Sequence, residues 1–313
     1  MTAVPDVPVD AEGRPLFELP AELAIDTDVA RRVIAGFIRG QLSQAGFDRC
    51  VLALSGGIDS ALVAYLVAEA IGAPNLLCVL LPYRTSSGAS VTDAQAVVAD
   101  LGCPSELVEI TPMVDAYFGE PASTPRDGNA DGAVGADGRS ASAVRRGNFM
   151  ARTRMAVIYD RSVTFGGLVV GTGNKTESLI GYTTIYGDNA CAFNPLGDLY
   201  KSQVRQLAAA IGVPRQVIAK PPSADLWPDQ TDEDEGAFSY PVLDRILYWR
   251  IDRRRSVDEL VAMGFDHDMV QRVDRLVAAS EFKRQVPPVA KLGPRTAGLD
   301  YLYPRRRPGS ARP

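Results

Sequence analysis

Histidine is almost missing from this chain: His267 is the single one among 313 residues. Ser-His-Asp and Cys-His catalysis, or a polyhistidine metal site, would have to run through that one side chain. It lies in the polar stretch FDHDM and reads as a surface residue. Cysteine is sparse as well. Cys50, Cys78, Cys103 and Cys191 are widely spaced and form no CxxC pair, so neither a zinc framework nor a disulfide scaffold is indicated. Small buried hydrophobes in a reducing cytoplasm are expected instead. No apolar run approaches the roughly 18 residues of a spanning helix, and one of the strongest, LLCVLLPY at 76–83, is broken by Pro82. The N-terminus MTAVPDVPVD has no basic-then-apolar leader pattern. An excess of positive charge is also lacking. Thirty-three Lys plus Arg against 38 Asp plus Glu leave a net charge of −5, which argues against a protein that coats nucleic acid. A cytoplasmic protein with neither membrane nor nucleic-acid partner is the expectation.

What is present is ordinary globular material. Hydrophobic residues at 46% and charged ones at 23% exclude a disordered or fibrous chain and leave ample material for a core. Residues 1–20, rich in Pro, Asp and Glu, read as a mobile arm or an edge extension. An amphipathic helix is predicted from about Asp28 to Ala45, with Val29, Val33, Ile34, Phe37, Ile38 and Leu42 at helical spacing. Then strands and helices alternate: CVLAL (50–54) and a helix over 59–71; LLCVLL (76–81) and a helix near 91–101; ELVEI (106–110) and a helix near 148–162; GLVVG (167–171) and another helix. Short, continuously apolar strands between helices predict an α/β fold, a Rossmann-like parallel sheet covered by helices on both faces. Ligands of such sheets sit beyond the C-terminal strand ends.

Residues 119–146 interrupt the pattern with Gly, Ala, Ser and Asp and no apolar face, a long flexible surface loop within one domain spanning 21–280. Residues 222–236 hold six acids, whereas 281–313 carry eight Lys or Arg and too many prolines for one long helix.

The most informative residues are SGGIDS, Ser55 to Ser60, between the first strand and its helix. Gly56 and Gly57 permit backbone angles closed to other residues and let a phosphate approach the main chain. Ser55 and Ser60 add hydroxyls, and the helix directs its N–H groups and positive dipole end at the same place. Neither GxxxxGK[ST] nor GxGxxG is present, so this is not a Walker loop or a dinucleotide fingerprint. Asp59 would repel phosphates unless a divalent cation lay between, and oxygen ligands with phosphates suit magnesium. Glu177, in VVGTGNKTES (169–178) after another buried strand, can supply a second carboxylate; read alone it is equally a solvated first-turn acid.

At this point the sequence resembles the NAD synthetases, of the ATP pyrophosphatase group that carries an SGGxDS loop. The likeness spans about 28–303 through SGGIDS (55–60), LPYRTSS (81–87), GNFMARTRM (147–155), GTGNKTE (171–177), YTTIYGD (182–188), NPLGDLYKSQVR (194–205), PPSADLWPDQTDEDE (221–235) and SEFKRQVPP (280–288). The first motif alone indicates only the group; their joint order is specific. The resemblance implies amidation of nicotinic acid adenine dinucleotide (deamido-NAD) by ATP and ammonia. The carboxylate attacks the α-phosphate, an acyl-adenylate forms, pyrophosphate leaves, and ammonia displaces AMP to give NAD.

It also implies roles. Ser55, Gly56, Gly57, Ile58, Asp59 and Ser60 would hold the phosphates, with Asp59 and Glu177 on Mg2+. Thr172, Lys201 and Ser223 match ATP-contacting positions, and Arg84 lies where adenosine is expected. Arg152 matches a residue that contacts deamido-NAD, with Phe282 and Lys283 in the C-terminal part of that site. Lys201 suits charge moving onto pyrophosphate, although a helix-start lysine is the plain alternative. Asp188 is the candidate acceptor of a proton from ammonium, or otherwise a turn-forming aspartate. Three positions depart from the ammonia-dependent pattern: Ile185, Ala192 and Phe282 stand where it has Lys, Asp and His, each removing a polar contact to the dinucleotide. Only 54 residues precede Ser55, too few for a nitrilase-type glutaminase domain, so free ammonia or a separate glutaminase partner is expected. The family further implies a homodimer, with Arg152 facing the second subunit. Two other readings stay open on residues alone: a related adenylating ligase acting on a different carboxylic acid, and a non-catalytic nucleotide sensor.

Overall fold

A computed structural model of the chain describes residues 7–9, 12–118, 141–222 and 238–296. Four parallel strands run in the order β3-β2-β1-β4: β1 (Cys50–Ala53), β2 (Leu76–Leu80), β3 (Ser105–Leu107) and β4 (Leu168–Val169). Val170 adds a parallel bridge to Phe193, which brings the segment before Lys201 alongside β4. The central strands β1 and β2 are apolar on both sides because both of their faces are covered. Cys50, Leu52, Cys78 and Leu80 point into a core shared with α1 (Thr27–Ala45), α2 (Ile58–Ile71) and α7 (Lys201–Ala210). Val51, Val79 and Val169 point the other way, onto Val114 of α4 (Thr111–Phe118) and Met150 and Ile158 of α5 (Ala141–Phe165). Two-residue alternation along a strand thus feeds two cores at once.

The helix ends follow local chemistry. Asp26 caps α1 by accepting from the Val29 amide, and Gly46 closes it at φ 72°. Ser87 caps α3 (Gly88–Leu101) in the same manner. The remaining described helices are α6 (Lys175–Ile180), α8 (Arg215–Ala219), α9 (Tyr240–Leu247), α10 (Val257–Ala262) and α11 (His267–Ala279). The last three pack Leu243, Ile246, Leu260, Val270 and Val273 with Ile180 and Tyr200 into a third core.

Several sequence expectations need correction. The strand predicted at 106–110 is shorter and exposed throughout, because β3 is the sheet's edge and has a neighbour on one side only. The loop expected over 119–146 ends earlier, since α5 already runs from Ala141; residues 119–140 lie outside the described set. The stretch just before it, TPMVDAYF, forms α4, which sequence reasoning passed over: Val114 is buried against α5. In the expected N-terminal arm, Phe17 is 7% exposed and packs in the main core, so residues 12–20 are bound to the body by apolar burial. Cys50, Cys78 and Cys103 are buried free thiols as expected, and burial pushes the Cys50 thiol up to about 12. His267 is surface-exposed. Among the described residues, no helix is long and apolar enough to cross a membrane.

Candidate active site

β1 ends at Ala53, and the chain turns through Ser55–Gly57 into α2, which begins at Ile58. Gly56 has φ 79°, and a Cβ there would stand 2.0 Å from the Ser90 carbonyl oxygen. Only glycine fits, both for its backbone angle and because α3 lies directly against it. Gly57 is different. Its φ of −88° is open to any residue, so this glycine leaves space above the turn rather than satisfying a special angle. The two hydroxyls expected as ligands are turned inward. Ser60 is buried; its Oγ donates to the Gly57 carbonyl (3.0 Å) and accepts from the Ser55 amide (3.2 Å). The Ser55 and Ser60 oxygens lie 3.0 Å apart, and Ser55 Oγ also accepts from the Gly57 amide at 3.2 Å. These bonds fix the loop's shape, while the first turn of α2 presents its amides and dipole end outward. Ile58 is buried in the core and anchors that turn.

Asp59 and Glu177 come together as predicted, with a cation between them. Lys201 Nζ lies 2.5 Å from Asp59 Oδ2 and 3.3 Å from Glu177 Oε1. The lysine side chain is 4% exposed, whereas the two acids keep 17% and 16%. A ligand approaching from solvent therefore meets the carboxylates before the ammonium. Lys201 is the first residue of α7, where a positive charge opposes the helix dipole. The paired acids offset that cost and the cost of burial. Its ammonium also lies 5.3 Å from the centre of the Tyr240 ring.

Asn174 holds this arrangement in register. Its Nδ2 donates to Asp59 Oδ1 (2.9 Å) and its Oδ1 accepts from the Glu177 amide (3.0 Å). The Glu177 carboxylate in turn accepts from the Asn174 amide at 3.2 Å, completing a capping box on α6. Thr172 is half-buried on the segment between β4 and α6, on the route to Asn174. Ser223 lies outside the described residues.

The second group of predicted residues lies at the other end of α6, which is six residues and hence about 9 Å long. Past Gly181 the chain turns through Thr184–Asp188. Asp188 Oδ1 accepts from the Thr184 amide at 2.8 Å. Part of Asp188 is exposed, yet the surrounding protein crowds its carboxylate; that desolvation raises it above the ordinary carboxylate range, with the Thr184 amide and the charge of Lys283 opposing. Arg152, on α5, donates from Nε to the Ile185 carbonyl (3.1 Å). Lys283 Nζ donates to the carbonyls of Gly181 (2.7 Å) and Thr183 (2.8 Å). It thus braces the turn's main chain. Phe282 beside it is 62% exposed. Arg84 stands apart from both groups: its guanidinium pairs with Asp115 and lies over the Tyr83 ring, and its amide donates to Thr111 Oγ1 (2.9 Å).

Known proteins repeat this plan over nearly its whole length. The family described as NAD synthase matches residues 30–287. A protein of Trichlorobacter lovleyi named NH(3)-dependent NAD(+) synthetase is 47% identical over 285 residues, covering 91% of this chain and 98% of that protein. The chain belongs to the NAD synthase family. A solved NH3-dependent NAD synthetase from Campylobacter jejuni, in complex with nitrate ion, shares the fold at TM-score 0.68 and 32% identity, covering 86% of this chain and all of that one. The structure of an NMN synthetase from Francisella tularensis is similar at TM-score 0.70 and 26% identity, covering 85% and 99%. Members of this family are ligases that use ATP, and the parallel sheet with its phosphate loop is their shared frame.

Sequence reasoning missed Asn174, Thr176 and Asp244. The first was findable, since N-x-x-E before an apolar turn is a capping-box signature. Asp244 carried no such signal: on paper it is one acid on an amphipathic helix. In the fold it is fully buried, accepts from Thr176 Oγ1 (2.6 Å) and from both the amide and the hydroxyl of Ser202 (2.7 Å each), and burial raises its carboxyl to about 6.

Proposed function

We propose that this chain amidates deamido-NAD with ammonia at the expense of ATP, forming NAD, AMP and pyrophosphate. One observation carries the reading: two acids from different strand ends converge on one cation beside a main-chain cradle at a helix N-terminus. The Ser55–Ser60 turn binds the phosphates through its amides, with Thr172 beside them and Arg84 toward the adenosine; Ser223, which the resemblance matches to the ATP site, lies outside the described residues. Lys201 tracks the negative charge that builds on pyrophosphate as it leaves.

The donor set fits magnesium, because Asp59 and Glu177 offer hard carboxylate oxygens and already hold a positive charge between them. Those two residues would hold the ion, which would neutralise phosphate charge during adenylation. Among the described residues no cluster of three or more His, Cys, Asp or Glu stands ready for a metal, so phosphate oxygens or water must complete its shell.

The substrate carboxylate attacks the α-phosphate, the bond to the β-phosphate breaks, and ammonia then displaces AMP from the acyl-adenylate. The proton lost from ammonium goes to Asp188, whose raised carboxyl makes it a stronger base than an ordinary aspartate. Arg152, Lys283 and Phe282 border the dinucleotide. Arg152 reaches it as part of a homodimer, a reading supported by the exposed Tyr159 and Val163 further along α5. Ammonia arrives free or from a separate glutaminase, and the cytoplasm is the compartment where these substrates meet.

A second reading has one specific support. The likeness to an NMN synthetase favours a smaller carboxylate, the corresponding mononucleotide. Steady-state assays with ATP, magnesium, ammonium and either acid decide between them. We expect NAD and AMP in equal amounts, with kcat/KM for deamido-NAD at least about tenfold above that for nicotinate mononucleotide. A reversed preference would establish the second reading, and formation of ADP would overturn both.

A further inference from the structure

Lys201 and Glu177 sit on the first turns of two separate helices, and neither helix start is held by its own sequence alone. Tyr200 precedes α7, and its hydroxyl is turned to Asp252 Oδ2 (3.1 Å) rather than to the helix amides. The oxygen that caps α7 comes from another element: Asp244 Oδ2, on α9, accepts from both the amide and the Oγ of Ser202. Its other oxygen accepts from the hydroxyl of Thr176, the second residue of α6. That hydroxyl also accepts from the Lys201 amide at 3.0 Å. One carboxylate therefore joins both helix starts, and a single hydroxyl passes the link to the backbone of Lys201. Thr176 and Asp244 are 0% exposed and Ser202 1%, so none of the three can touch a nucleotide. All three groups that face Asp244 donate to it here, and because the Ser202 amide can only donate, the oxygen opposite it has no room for an amide NH2. A buried acid carries a desolvation cost that an apolar residue would avoid; here it supplies an anion where the dipole of α7 wants one and Lys201 provides the opposite sign.

We propose that Asp244 is a positioning residue of the reaction, acting through Thr176 to fix Lys201 and Glu177 opposite Asp59. This rests on the reading of those three groups as the phosphate and metal site. The geometry separates it from general scaffolding, since its bonds go to the two turns that carry reacting groups.

The test uses the full-length chain and measures pyrophosphate release under steady-state conditions, with thermal unfolding alongside. Asp244→Asn and Thr176→Val are each expected to lower kcat by about ten- to a hundredfold while the KM for deamido-NAD stays within about twofold. Thr176→Ser, which keeps the hydroxyl, should restore kcat to within about threefold of wild type. In a Lys201→Met background, Asp244→Asn should cost less than about threefold, because the side chain it chiefly positions is gone. An unchanged kcat in Thr176→Val, or an equal loss from Asp244→Asn with and without Lys201, overturns the proposal. So does an equal loss in the Val and Ser variants at position 176. Should Asp244→Asn fail to fold, the comparison at position 176 decides alone. If the wild type amidates neither acid, the functional reading falls by itself. The positioning claim is then read from the thermal shift produced by magnesium and ATP, which Thr176→Val should lose and Thr176→Ser keep; equal shifts would overturn it.

Discussion

The two ends of α6 are built differently. At its N-terminal end, Asp59, Asn174, Glu177 and Lys201 are held side chain to side chain, and the anions are matched by a buried ammonium. At its C-terminal end, Lys283 and Arg152 hold main-chain carbonyls, and Phe282 stands in solvent. The first end is preorganised for a charged ligand of fixed shape, which is what phosphates require. The second end has a braced backbone and few committed side chains, which suits a surface completed by a substrate or a second subunit. On the proposed function, ATP chemistry is built into one chain and recognition of the dinucleotide is left open.

Substitutions test this contrast most strongly at the closed end. Asp59→Asn removes one of the two charges facing Lys201 and should lower pyrophosphate release at least about a thousandfold with the fold retained, as read by turnover and circular dichroism. Near-normal turnover would erase the distinction between the two ends. Next comes the double glycine. Gly56→Ala forces a Cβ against the Ser90 carbonyl at a positive φ and should cost about 4 kcal/mol in urea unfolding. Gly57→Ala should leave stability within about 0.5 kcal/mol and weaken ATP binding instead, because its backbone angle is unstrained.

A smaller effect is expected from Asp244. Its folded carboxyl is raised to about 6 from an ordinary value of 3.8, so the folded state keeps a proton that the unfolded chain has released. Its contribution is fully present below the unfolded value and is lost as pH rises through the folded one. Stability of the wild type should therefore fall relative to Asp244→Asn between about pH 4 and 6, by up to about 3 kcal/mol, in chemical unfolding at a series of pH values. The smallest effect belongs to the open end. Phe282→Ala should change stability by less than about 0.5 kcal/mol, since the ring is mostly in solvent, while raising the KM for deamido-NAD severalfold. A large loss of stability there would show that this end is as tightly built as the other.

The sheet and the phosphate turn were legible in the sequence because their signals are local. CVLAL is apolar throughout because Cys50 and Leu52 face one core and Val51 the other, and SGGIDS needs its first glycine for a positive φ. The meeting of Asp59 with Glu177 followed from parallel strand ends. What escaped was non-local or atypical. Asn174 reaches Asp59 across 115 positions, and Asp244 reaches Thr176 across 68, distances over which no spacing rule operates. The strand expected at 106–110 was misjudged because apolar content alone does not separate an edge from a centre, and Leu107 is exposed. Gly57 was credited with a special angle that only its neighbour has. Lys201 was expected to contact ATP, and its place between the two acids was not foreseen.

Labelling the substrate carboxylate of deamido-NAD with oxygen-18 tests the central claim most directly. If the carboxylate attacks the α-phosphate in this cradle, the AMP released with NAD carries one labelled oxygen. Unlabelled AMP, with the label retained elsewhere, would contradict the account.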